Sequence, residues 1–539
     1  MCFDTAAVNT RIHHGTCAEI EMALNKDLIH LPCRHHIFEL VLKGVFEVYW
    51  PTSSGPNVQF FWTFKNKWNE LDKSKFKAGI NDSLVNRVLS DSKQVLITLN
   101  EENLQFVASP ICCPNRASIL TGRYQHNHLT LNNSLSGGCN GMEWQRTHEK
   151  RTFGTILKNQ KNYRTFYAGK YLNEYGTKSA GGPSHVPPGW DWWAGLLGNS
   201  KYYNYTLSIN GTAKFYSDKT QDYLTDVIAG IAVDFIRSYD DYTQPFLMVL
   251  APPAPHAPFT PALRHNDKFR DVKAKRTPNF NAFTQLDKHW LVRMHPSPLP
   301  NEILTKLDFI YRRRWETLLS IDDLVEKIYQ TLKLENFLND TFIIFTSDNG
   351  YHIGQFSMPF DKRQLYESDI RVPLLIRGPG IEFSQVTTPV SSVDLFNTIL
   401  QIAGINGISD GISVLSKNIS HDRTLLIEYK GEKSLHHYNT TCTNEFDLNL
   451  YGCDKSMACK CQDSANNTYS CIRRFSKQYN NIYCIFDDDE QYIEAYNLNE
   501  DQYQMNNIGY KIDNNQEDKF RKHLNIMKKC LGSDCILVS

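Results

Sequence analysis

The sequence predicts an α/β fold: a largely parallel central sheet with helices on both faces, followed by a small C-terminal α+β subdomain. Three observations lead there. From about Lys93 onward, short β-rich apolar runs alternate with stretches of helical periodicity, as expected of strands joined by helical crossovers. The 539 residues are 41% hydrophobic and 22% charged, enough for a large core and a satellite domain. Beyond about residue 430 the texture becomes cysteine-rich, aromatic and polar, and eight of the 14 cysteines fall between Cys442 and Cys535.

Taken in order, residues 1–92 share no pattern with the rest and stand as an unassigned segment. His13, His14, Cys17, Cys33, His35 and His36 follow no zinc-finger spacing, so scattered structural residues are expected there. Met1 to Ala7 contain neither a basic n-region nor an apolar h-region, and no secretory signal peptide is expected in them. Residues 93–430 form the main domain. Its apolar runs are Tyr163 to Ala168, Phe246 to Leu250, Phe342 to Phe345 and Val372 to Ile376. Leu224, Val227, Ile228, Ile231 and Phe235 recur at helical spacing, as do Ile321, Leu324, Val325, Ile328 and Leu332. Asp322 and Asp323 lie within the second of these periods and read as surface or cap residues. Residues 431–539 form the subdomain, in which Asp487 to Glu490 read as a solvated turn because they lack the glycine and spacing of an EF-hand loop.

Lys+Arg 58 balance Asp+Glu 58. A chain without net charge has no global steering toward nucleic acid, so an anionic ligand must be held by local basic residues. No apolar run approaches the roughly 20 residues that span a bilayer. The cysteine density is that of an oxidising compartment. Sequons at Asn132, Asn204, Asn210, Asn339, Asn418, Asn439 and Asn466 agree with it.

In doubly covered sheets ligands collect beyond the carboxyl ends of strands. Gly169-Lys170-Tyr171 follows the first run, Pro255-His256-Ala257 the second, and Ser347-Asp348-Asn349-Gly350 the third. A lone Lys or His is ordinarily a surface charge or a satisfied polar group; three such groups past separate strands point to a site. The remaining motif is Cys112-Cys113-Pro114-Asn115-Arg116, continuing through Ser118 to Leu120-Thr121-Gly122-Arg123. A buried cysteine pair beside a turn is the plain alternative.

Cys112-x-Pro114-x-Arg116 followed by Leu120-Thr121-Gly122 closely resembles the signature of the type I sulfatases, in which the first cysteine is oxidised to formylglycine. The resemblance runs from about Lys93 to the C-terminus. Through Tyr124 to His128, Ala168 to Gly176, Lys201 to Ser208 and Asp361 to Glu367 it is similar to the N-acetylglucosamine-6-sulfatase branch. Leu172 stands where many arylsulfatases carry histidine. The extracellular heparan endosulfatases share several blocks, but no long basic insertion is present.

The resemblance implies an alkaline-phosphatase-like sulfatase fold and hydrolysis of the 6-sulfate of N-acetylglucosamine in heparan or keratan sulfate. It also implies a lysosomal or secretory setting, a formylglycine-generating enzyme as partner, and Ca²⁺. A thiol would trap the sulfate after one turnover. An aldehyde hydrate offers one oxygen as nucleophile and another to expel sulfate. Carried over by position, Cys112 as formylglycine, Arg116, Lys170, His256 and Lys362 would be catalytic, and Asp348, Asn349 and residue 112 would hold the metal. One element of the family pattern is not found: an Asp-Asp pair after a first strand upstream of Cys112. Ca²⁺ takes about 6–8 oxygens, so the chain as written is expected to bind it weakly and turn over slowly. A non-catalytic or mis-joined relative is the alternative. Glu101 and Glu102 lie too close to Cys112 to replace the pair.

Overall fold

The computed structural model describes residues 105–239, 243–283, 287–381, 388–416, 420, 422–432, 455–476 and 478–536. Residues 1–92, with their histidines and cysteines, and Glu101 and Glu102 lie outside the described residues. The chain divides into two compact units, 1–98 with 376–385 and 99–375 with 386–539; every feature below lies in the second.

Five strands form the main sheet, in the order Thr212–Tyr216, Tyr205–Ile209, Trp192–Leu196, Arg164–Gly169, Phe246–Ala251. The sheet is mixed. Arg164–Gly169 pairs in parallel with both neighbours, Phe166 lying opposite Trp192 and Met248. The first two strands in that order form an antiparallel hairpin added at the edge, with Tyr205 opposite Tyr216 and Ala194 opposite Ile209. Asn210 and Gly211 both have positive φ, 47° and 88°, which is the two-residue turn that matches strand twist.

Alternation along the central strand sorts its side chains to two faces. Phe166 and Ala168 pack with Leu224, Ile228, Ala232 and Phe235 of the helix Leu224–Arg237 and with Leu324, Ile328 and Leu332 of the helix Asn301–Leu334. Tyr167 points the other way. It joins Trp193, Ala117 and Leu120 of the helix Cys112–Thr121, Phe153 and Leu157 of Phe153–Lys161, and Phe396 and Leu400 of Asp394–Ile402. Each of the larger apolar side chains contributes about 1.5–3 kcal/mol by leaving water. Asp322 is exposed, and Asp323 pairs with Arg264 and His265 on the surface, in line with the sequence reading.

A second sheet is wholly antiparallel: Arg423–Tyr429, Tyr469–Phe475, Asn480–Phe486, Ile493–Asn497. The helix Asn514–Met527 lays Phe520, Leu524 and Met527 on its Ile472 and Tyr483 face. Disulfides Cys471–Cys484 and Cys530–Cys535 staple this region. One reading from sequence needs correction here. Asp487 to Glu490 form a turn, but Asp488 is not solvated; its side chain is 5% exposed and accepts from His289 Nε2 at 3.0 Å. Periodicity cannot reveal a partner 199 residues away. Among the described residues, no helix is long and apolar enough to cross a membrane.

The segment after the Cys112 helix is tied to the C-terminal disulfide loop by His126. Its Nδ1 lies 2.8 Å from Glu428 Oε2 and its Nε2 2.9 Å from the Cys530 carbonyl. Both neighbours are acceptors, so only the imidazolium satisfies both. Burial lowers its pKa, but the hydrogen bond and charge of Glu428 and the Cys530 carbonyl outweigh burial and raise it above the usual 6.5. A raised folded pKa gives stability that is complete below 6.5 and is lost as pH rises through the folded value. Thermal unfolding at stepped pH should therefore show the wild type losing stability above pH 6.5 and His126→Gln losing less; equal slopes would exclude the latch.

Candidate active site

Ile111 enters the helix Cys112–Thr121 with extended backbone, so Cys112 sits at the first helical position, where N–H groups point outward and an anion is favoured. Gly122 closes the helix at φ 65°, and a Cβ there would lie 2.6 Å from the Ser409 side chain. Cys112 is buried and free, whereas Cys113 is bonded to Cys139. Arg116 falls one turn on, on the same helical face as Cys112. Its Nε donates to Asp348 Oδ2 at 2.7 Å, and its Nη1 donates to the Lys170 carbonyl at 2.6 Å.

The other site residues arrive from strand ends. Lys170 follows Arg164–Gly169; it is 2% exposed and donates through Nζ to Asn199 Oδ1 at 3.0 Å. His256 lies in the turn after Phe246–Ala251, with Nδ1 2.8 Å from the Ala257 carbonyl. Nδ1 therefore carries the hydrogen, and Nε2 keeps a lone pair. Asp348 and Asn349 follow Ile343–Thr346, and Lys362 follows the short strand Phe360–Asp361. Lys362 is 5% exposed, and its Nζ lies 5.9 Å from the centre of the Tyr351 ring.

Their charges act on one another. Burial raises the Cys112 pKa, but Lys170 and Lys362 outweigh it, and the thiol, standing where the aldehyde oxygens would be, is held below its ordinary value. Burial, then Arg116 and Lys362, brings Lys170 down to about 8 against the opposing pull of Cys112 and Asp348. Burial with Lys362 and Lys170 holds His256 well below the usual imidazole range, so it is neutral. Burial raises Asp348, but Arg116, Lys170 and Lys362 bring it to about 2. The fold thus gathers Cys112, Arg116, Lys170, His256, Asp348 and Lys362 into one electrostatic group, positive in balance and suited to an anion.

The metal-ligand candidates fit Ca²⁺ as part of its shell. Asn349 Oδ1 is buried without a hydrogen-bond partner, and its Nδ2 donates to the Gly350 carbonyl. Arg116 takes only one Asp348 oxygen. These are hard oxygen donors of the kind Ca²⁺ prefers, though fewer than the roughly 6–8 it takes. Among the described residues, no group of three His, Cys, Asp or Glu stands ready to hold a metal.

Sequence reasoning missed several residues that shape the site. Asn115 is an unspecified position of the motif, yet its Oδ1 accepts from Ala108 N at 3.0 Å and Ser392 Oγ at 2.6 Å, while Nδ2 donates to the Asp348 carbonyl at 2.6 Å. Asn199, which accepts from Lys170, had no signal beyond its polarity. Asp369 joins two site loops: its carbonyl accepts from Gly350 N at 2.8 Å, and its carboxylate accepts from His352 Nδ1 and Gln364 N, each at 2.9 Å.

The family model Sulfatase matches residues 94–405. The N-acetylglucosamine-6-sulfatase of Homo sapiens is 47% identical over 440 residues, covering 80% of this chain and 79% of that one. An extracellular sulfatase homologue from Drosophila melanogaster is 40% identical over 327 residues, 59% of this chain and 28% of that one. A protein solved in complex with its substrate D-glucosamine-2-N,6-O-disulfate shares the fold with a TM-score of 0.59 at 21% identity, covering 79% of this chain and 91% of that one.

Proposed function

The chain belongs to the sulfatase family, whose members hydrolyse sulfuric esters, and on that premise we propose that it removes the 6-sulfate from N-acetylglucosamine residues of heparan or keratan sulfate. The observation that carries the reading is a free, buried Cys112 at a helix start, biased by Lys170 and Lys362 and joined through Arg116 to Asp348. Oxidised to formylglycine by a formylglycine-generating enzyme and hydrated, residue 112 supplies one oxygen for attack on sulfur and a second for release of sulfate. Lys170 and Lys362 bind the sulfate oxygens and neutralise the charge that spreads over them in the transition state. Arg116 orients Asp348 and adds its own charge. His256, neutral, would accept at Nε2 the proton of the attacking hydroxyl and return it to the sugar oxygen as that oxygen leaves.

Asp348, Asn349 and residue 112 would hold Ca²⁺, which when bound polarises the sulfate. Asn115 keeps Asp348 in place by its carbonyl. The division into a catalytic domain over 93–430 and a subdomain over 431–539 belongs to the same reading, as does a lysosomal or secretory location, where the disulfides persist.

The test is sulfate release by protein co-expressed with a formylglycine-generating enzyme. An oligosaccharide ending in 6-sulfated N-acetylglucosamine should lose its terminal sulfate first. Release from internal residues alone would replace this reading with an endosulfatase; no release from either would refute it.

A further inference from the structure

Arg314 is half-buried in the middle of the long helix Asn301–Leu334, and no step above uses it. Its guanidinium lies over Tyr351, with Cζ 4.0 Å from the ring centre. Lys362 Nζ approaches the same ring at 5.9 Å. Nη1 donates to the Pro255 carbonyl at 2.9 Å, one residue before His256, and Cζ is 6.0 Å from the Phe259 ring. The side chain therefore touches two of the loops that carry the site and shares an aromatic platform with a lysine of the third.

What it lacks is a counter-charge. Its neighbour Arg313 pairs with Glu316 at 3.0 Å and reaches Asn266. Among the described residues Arg314 forms no ion pair, and its other N–H groups have no acceptor there and stay open to solvent. The groups that act on its ionisation are Tyr351, Tyr202 and Tyr311, too weak to offset burial, which lowers its pKa. A half-buried guanidinium that still faces solvent and has no counter-charge is open to an anionic ligand. Its planar fork matches sulfate and carboxylate oxygens, and the aromatic ring beneath holds that fork in orientation.

We propose that Arg314 binds a second anionic group on the substrate, a sulfate or carboxylate close to the 6-sulfate under attack. The inference rests on the sulfatase reading of the site. Two sources offer that chemistry: an N-sulfate on the same glucosamine, or the carboxylate of an adjoining uronic acid.

The experiment compares three substrates with the modified full-length enzyme: N-acetylglucosamine 6-sulfate, glucosamine 2-N,6-O-disulfate, and an N-acetylglucosamine 6-sulfate linked to a uronic acid. Hydrogen bonds to charged groups contribute about 1.5–3 kcal/mol, so the wild type should favour at least one doubly anionic substrate by about 10–100-fold in kcat/KM. In Arg314→Gln that preference should collapse through KM, and Arg314→Lys should recover part of it. The substrate whose advantage disappears identifies the source of the anion. Equal losses on all three substrates would reduce Arg314 to a brace for the Pro255 carbonyl and overturn the proposal, as would an unchanged preference. Calorimetric binding of the same three compounds to Cys112→Ala, with and without Arg314→Gln, decides the question independently of turnover. If the wild type hydrolyses none of the three, the functional reading fails and the binding comparison still decides Arg314: a selective loss of doubly anionic ligands sustains it, and no difference overturns it.

Discussion

Cys112→Ala is expected to abolish sulfate release, with a fall on the order of 10⁴-fold or more, the scale seen when a catalytic nucleophile is removed. The adjacent cysteine separates chemistry from architecture. Cys113 is bonded to Cys139, 26 residues away, and losing such a bridge typically costs about 2–5 kcal/mol. Cys113→Ala should therefore lower the unfolding midpoint while leaving residue 112 able to carry an aldehyde. Peptide mass mapping of both variants, alongside sulfate release, reads the two effects separately. Retained activity in Cys112→Ala would falsify the formylglycine mechanism. An aldehyde at residue 113 would place the nucleophile on the wrong side of the helix start.

Arg363→Met is expected to destabilise the fold by about 3–5 kcal/mol, the cost of breaking a buried ion pair from one side. The guanidinium is 2% exposed and lies between Asp361, 3% exposed, and Glu432, 0% exposed. Nε and Nη2 donate to Glu432 at 3.1 and 3.0 Å, and Nη1 donates to Asp361. Removal would leave two buried carboxylates without a cation. Arg363 also has φ 93°, a strained position for a side chain with a Cβ. Its N–H donates to the Pro110 carbonyl at 3.1 Å, just ahead of Cys112. The ion group thus positions Lys362, and kcat/KM should fall with stability. Arg363→Lys keeps the charge but cannot span both carboxylates, so it should fall between. Urea unfolding and steady-state kinetics on the same preparations check both effects; an unchanged midpoint would mean that the pairs contribute nothing net.

Chemistry that depends on local order was legible in the chain. The motif from Cys112 to Gly122 is contiguous, and the residues from Lys170, His256 and Asp348 follow apolar runs whose strand character could be read from composition. The runs ending before Lys170 and His256 became neighbouring strands of one sheet, and the run ending before Asp348 became a strand of a separate two-stranded sheet. The family resemblance, the α/β pattern and the surface position of Asp322 and Asp323 follow from that local information.

Tertiary structure decided what depends on partners far apart in sequence. Asn115 meets Asp348 across 233 residues, Arg363 meets Glu432 across 69, and His126 meets Glu428 across 302. Asp488 was turned from solvent to the interior by His289, and the sheet became mixed because the hairpin around Asn210 and Gly211 added to its edge. No periodicity carries such pairings, because a buried charge is fixed by whichever polar group the folded chain brings within hydrogen-bond reach. The sequence alone determined which atoms can react and on which strand ends they lie; tertiary packing decided their charge states and their supports, because burial and neighbouring charge exist only once the chain has folded.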